Sequence, residues 1–192
     1  MDNNNNVVGA FELLQGFIQK GDASSLKKEL LKSTSDVEYR DDNGNTLLLI
    51  AAYLGKSDCV DILLEIGQAN FEAINVFGQN ALTLASYVGC IDCIKMLLTK
   101  WSYKNYTEST LLPPLCVAAM RGHLEIVDLF CQLTPSPNDI KSVHGVTPMD
   151  LAKKNGHIEV VQRLLEAAKP MERSGKEKEK CFTTRYKPYS KK

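Results

Sequence analysis

Residues 114–127 read Pro114-Leu115-Cys116-Val117-Ala118-Ala119-Met120-Arg121-Gly122-His123-Leu124-Glu125-Ile126-Val127. Apolar residues at helical spacing run up to a paired alanine. A glycine then interrupts, and a second apolar stripe begins. The same order recurs on both sides. Gly21, Gly55, Gly89, Gly122 and Gly156 fall in phase, at spacings of 34, 34, 33 and 34 residues. Five residues after the last four of them stand Val60, Ile94, Val127 and Val161. Leu63-Leu64, Leu97-Leu98, Phe130-Cys131 and Leu164-Leu165 follow, while Ala51-Ala52, Ala85-Ser86, Ala118-Ala119 and Ala152-Lys153 precede the glycines. A fixed period of this size is the signature of a stacked-repeat architecture.

One unit can be derived from these columns. Leu48, Ala51 and Ala52 make one face of a short helix, which Gly55 ends as a cap of positive φ. Cys59, Val60, Leu63 and Leu64 stripe a second helix. Asp41-Asp42-Asn43-Gly44 and Asn75-Val76-Phe77-Gly78 are turn signals before each pair. Thr46 and Thr147 stand where a hydroxyl caps the first helix, and Pro148 occupies the favoured first helical position. The alanine column is small because two helices approach closely there. No unit buries its own stripe, so neighbouring units must bury it for one another. A tetratricopeptide array has a similar period but uses two longer, aromatic-rich helices, and a glycine after about nine helical residues does not fit it.

These motifs, above all Gly145-Val146-Thr147-Pro148-Met149-Asp150-Leu151-Ala152 with Gly156-His157-Ile158-Glu159-Val160-Val161, resemble ankyrin repeats. The resemblance covers residues 8–168 and implies an all-α solenoid of about five units, each a turn plus two antiparallel helices. The expected units are 8–40, 41–74, 75–107, 108–141 and 142–168. The first keeps Leu14, Gly21, Asp22, Leu26 and Leu30 and reads as a degenerate, polar-faced cap. Three departures stand out. The family's histidine after Thr-Pro-Leu is replaced by Leu49, Thr83, Cys116 and Asp150. Leu111 replaces the turn glycine of the fourth unit. Trp101-Ser102-Tyr103-Lys104-Asn105-Tyr106 replaces the usual Gly-Ala, so an irregular finger is expected there.

Charge is unevenly spread. Residues 169–192 hold nine basic and three acidic side chains, a net +6, so the other 168 residues, with 14 basic and 20 acidic, carry −6. The basic segment has too little apolar surface to offset ordering entropy and reads as a disordered tail. Residues 1–7 read as a frayed polar leader. Three roles fit the tail: a solvated solubility segment, a nuclear address or weak nucleic-acid contact, and docking onto the acidic body. The longest apolar runs are too short to span a membrane, and Met1-Asp2 followed by four asparagines is not a secretory signal. An intracellular, reduced monomer is expected, in the cytoplasm and, as a second compartment, the nucleus.

The residues offer little chemistry. Cys90 and Cys93 form a C-x-x-C pair with no second pair or matching histidines for zinc. They read as packing residues. His123 and His157 follow repeat glycines and read as structural, and His144 as a solvated turn residue. Nucleophile, phosphate-loop and zinc-protease motifs are absent from the sequence. No catalytic residue, cofactor or metal is assigned. Asn105-Tyr106-Thr107 reads as a chance glycosylation match, and Thr134-Pro135 with Ser136-Pro137 as turn formers open to a proline-directed kinase.

The ankyrin resemblance implies a concave groove lined by turn tips (Asn43, Phe77, Thr110, His144) and by the ends of first helices. Along it the sequence is apolar and aromatic: Tyr53, Leu54, Phe77, Tyr87, Val88, Leu112, Met120 and Arg121. Tyr, Met and Arg are enriched at interfaces, and a contiguous exposed apolar strip marks interaction sites. The expected function is a non-catalytic adaptor binding a partner protein in this groove. The alternative is a nuclear or transcription-linked regulator whose tail touches nucleic acid.

Overall fold

A computed structural model describes residues 2–32, 37–134 and 136–168, with side chains described from Val8 onward. It is all-helical and ankyrin-like. Inner helices are α1 (Asp2–Lys20), α3 (Leu47–Tyr53), α5 (Ala81–Val88), α8 (Pro114–Arg121) and α10 (Pro148–Lys154). Outer helices are α2 (Ala23–Lys32), α4 (Ser57–Glu65), α6 (Ile91–Lys100), α9 (Leu124–Leu133) and α11 (Ile158–Ala168). Inner helices pack in the order α1, α3, α5, α8, α10. In the outer row α2 packs on α4, α4 on α6, and α9 on α11. The expected tail, residues 169–192, lies outside the described residues. Residues 2–7 of the expected leader are described within α1 (Asp2–Lys20), which Phe11, Leu14 and Ile18 anchor in the core.

The repeat columns become the core. Ala51, Ala52, Ala85, Ala118, Ala119 and Ala152 are fully buried between inner helices. Val60, Leu63, Ile94, Leu97, Val127, Phe130 and Leu164 fill the layer beneath the outer row. Capping follows the polar residues before α3, α5 and α10, while α8 starts behind Pro113 with no side-chain cap. Thr46 Oγ1 accepts from Leu49 N at 3.5 Å and Asn80 Oδ1 from Thr83 N at 2.9 Å. Thr147 and Asp150 cap reciprocally, with Thr147 Oγ1 accepting from Asp150 N at 3.1 Å and Asp150 Oδ2 from Thr147 N at 3.0 Å. The two Thr147 donors hold the exposed Asp150 carboxyl below its ordinary range. Thr147→Ala should lower stability by about 1 kcal/mol, read as a reduced denaturant midpoint.

The segment expected to be irregular instead forms a further helix, α7 (Tyr103–Glu108), whose N-cap Ser102 accepts from Asn105 N. Six residues cannot sustain a helix alone. Packing holds this one. The Tyr106 ring is fully buried against Trp101 at 4.9 Å, and its hydroxyl donates to Leu97 O at 3.2 Å. Tyr103 stacks on Phe130 of α9 at 4.6 Å, and Asn80 Nδ2 donates to Tyr106 O at 2.9 Å. Thus α7 ties the third unit to the fourth.

The units are also stitched along the inner row. His123 Nε2 donates to Tyr87 O at 3.2 Å and His157 Nε2 to Met120 O at 3.0 Å. In the same column Cys90 Sγ donates to Gly55 O at 3.7 Å. These bonds supply the inter-unit connection that the missing Thr-Pro-Leu-His histidine leaves open.

Candidate protein-binding groove

The fingers form one wall. Asp41 Oδ1 accepts from Asn43 N and Asn45 N at 2.9 and 2.8 Å. One unit later Asn75 Oδ1 accepts from Phe77 N and Gln79 N, both at 3.0 Å. Asn75 Nδ2 also donates to Asn45 Oδ1 at 3.0 Å, joining the two turns. Main-chain bonds extend the wall: Val76 N to Asn43 O, Leu111 N to Gly78 O, and Val143 N to Leu111 O. Leu111, which replaces a turn glycine, therefore bonds to fingers on both sides. Arg40 Nη1 clamps the first finger to the second through Gly44 O at 2.9 Å and Ile74 O at 2.6 Å.

Between this wall and the inner helices lies a depression of about 470 Å³. Its apolar floor is Leu49, Ile50 and Tyr53 of α3, the α3 cap residue Leu54 and Leu84 of α5, and Phe77 also lines it. Amide side chains ring that floor: Gln15 and Gln19 of α1, with Asn43, Asn45, Asn75 and Gln79 of the fingers. Asp41 is the one charged lining residue. Tyr53 is 50% and Phe77 61% exposed, so two large rings face solvent in a concave, hydrogen-bonding frame.

Four of the sequence-predicted residues, Asn43, Tyr53, Leu54 and Phe77, meet in this depression. Tyr87 lies beside it, its ring stacked on Tyr53 at 6.3 Å between centroids and 24° between planes. The Arg121 guanidinium sits 4.5 Å from the Tyr87 centroid, which extends the stack to α8. Val88 is exposed at the end of α5, and Met120 is partly buried at the end of α8. Leu112 is partly buried and outside the lining. Sequence reasoning missed Gln15 and Gln19. Gln19 stands two residues before Gly21, as Tyr53 and Tyr87 stand two before Gly55 and Gly89, so the register carried the signal.

The cysteines among the described residues, Cys59, Cys90, Cys93, Cys116 and Cys131, are packing residues. Cys59, Cys93 and Cys116 are buried, and Cys90 Sγ caps α6 by accepting from Cys93 N at 3.3 Å. Burial raises the Cys59 and Cys93 thiols and pushes Cys116 up to about 12 and Cys131 to about 11, away from the thiolate that nucleophilic or metal chemistry needs. Among the described residues no group of three or more His, Cys, Asp or Glu side chains is placed to hold a metal ion, and no helix is long and apolar enough to cross a membrane.

Five stacked helix pairs, hydrogen-bonded fingers and a groove between them define the class. The family described as Ankyrin repeats (3 copies) matches residues 14–110 and 103–174, and the chain belongs to it. Ankyrin repeats bind protein partners and are in general non-catalytic. A relative, the DNA replication inhibitor plutonium of Drosophila melanogaster, is 43% identical over 130 residues, which is 67% of this chain and 72% of that protein.

Proposed function

We propose that this chain is a non-catalytic adaptor that binds a partner protein in the groove, and that binding inhibits DNA replication, as the relative's name describes for that protein. The observation carrying the first part is the pair of half-exposed rings, Tyr53 and Phe77, in a concave frame of amides. Aromatic side chains in pockets dominate binding energy at protein interfaces. The side chains of Gln15, Gln19 and Asn43 suit an extended segment, whose main chain both donates and accepts. Inhibition of replication would place the action in the nucleus.

Replacing Tyr53, Phe77 and Tyr87 together by Ala should weaken partner binding by about 2 kcal/mol, roughly 30-fold. The check is a pull-down from extract of the source cells, with circular dichroism confirming that both chains are folded. In an extract competent for DNA synthesis, the wild-type chain should depress synthesis and the variant should not. Equal capture by both chains places binding outside the groove.

A further inference from the structure

We propose that residues 180–192 of this same chain dock in the groove and compete there with the partner, an inference that rests on reading the groove as a binding site. Three observations carry it. The first is charge. The lining holds Asp41 and no cation, and the exposed Asp42 extends the same turn. Glu12 lies on the α1 face that presents Gln15 and Gln19, at i, i+3 and i+7. Arg40, beside the turn, is bonded to Gly44 O and Ile74 O. From Lys180 onward the chain carries Lys180, Arg185, Lys187, Lys191 and Lys192 and no acid.

The second is shape and chemistry. Phe182, Tyr186 and Tyr189 alternate with those cations. Such a segment can set a ring on the Tyr53–Phe77 floor, direct its main chain to the amides, and leave a basic side chain beside Asp41 and Asp42. The Asp41–Asp42 turn repels a polyanion and attracts a cation, which favours a basic peptide over nucleic acid.

The third is reach. Outer helix α11 ends at Ala168. Outer helices α4 and α9 lead on into the fingers around Asn75–Gly78 and Ser142–Gly145, so by the same repeat α11 ends at Ala168 on the finger side. The 17 residues from there to Arg185 span up to about 60 Å when extended. From α10 to α3 there are three inner-helix steps of about 8–10 Å each. The tether therefore suffices, and tethering raises the local concentration to about millimolar, so a weak contact fills the groove.

The test is a photo-crosslinking amino acid in place of Tyr186 in the full chain, irradiated at low salt and mapped by mass spectrometry. The expected product is an intramolecular link to residues 12–19, 41–54 or 75–79. Phe77→Ala and Asp42→Lys should each reduce it at least ~5-fold while the helical signal is unchanged. Links elsewhere, links between two copies, no link, or a link insensitive to both substitutions would overturn the inference. Arg185→Glu with Lys187→Glu should tighten partner binding about 5-fold by removing the competitor; an unchanged or weakened affinity counts against competition. A partner that needs Tyr53 and Phe77 while Tyr186 links elsewhere overturns only this inference. A groove link with no partner captured overturns only the adaptor reading.

Discussion

Phe130→Ala is expected to lower stability by about 3–5 kcal/mol, the range for removing a buried aromatic ring. Phe130 is fully buried, and its ring carries the stacked Tyr103 ring at 4.6 Å. Its loss opens a cavity beneath α9 and removes the contact that holds Tyr103. Because α7 owes its helix to packing, Phe130→Ala should loosen that segment first. Trp101 is the single tryptophan and packs edge-on against Tyr106 at 4.9 Å, so its fluorescence reports this junction. Both the helical signal and Trp101 emission should lose structure at lower denaturant, with Phe130→Leu between the two. A loss below ~1 kcal/mol, or an unmoved Trp101 transition, would mean that α7 does not depend on Phe130.

Gly122→Ala is the second large effect, at about 2–3 kcal/mol. Two costs combine. At φ 77° a side chain costs about 1–2 kcal/mol. An added Cβ would also lie 2.6 Å from His157 Nδ1 and 2.9 Å from its Cγ, so the whole ring must move. Moving it breaks the bond from Nε2 to Met120 O, worth about 0.5–1.5 kcal/mol. Gly145 separates the terms: its φ is 75°, but nothing lies within 4 Å of its Cβ position. Gly145→Ala should therefore cost only the backbone part, about 1–2 kcal/mol. Equal losses at the two glycines would show that the histidine contact carries no weight. In a His157→Ala background the Gly122→Ala penalty should shrink towards the Gly145 value.

The repeat was legible because it is periodic. A stacked unit places the same demand on the same position each time, so glycines, small residues and apolar stripes align without any knowledge of the neighbours. The first-helix ends and Phe77 were legible for that reason, and they include the rings over the groove. The helix α7 was not legible. Residues 103–108 have no counterpart in the other units, and their helix depends on Leu97, Asn80 and Phe130, none of them local. Gln15 and Gln19 were overlooked because the degenerate first unit keeps apolar residues but has Phe17-Ile18 in place of the alanine pair, which hides the end of its first helix. The role of His123 and His157 was half legible. Their column was plain, but bonding to the preceding unit's carbonyls requires knowing that the inner helix ends one layer away.

The stacking of Tyr103 on Phe130 also has a meaning in time. Phe130 follows Tyr103 by 27 residues. At about 5–20 residues per second, the ribosome completes the first ring roughly one to five seconds before its partner emerges. For that interval the first three units can assemble around Trp101 and Tyr106, yet they end in an uncovered aromatic surface. The growing chain thus carries a temporary adhesive end midway through its synthesis, and the arrival of α9 retires it.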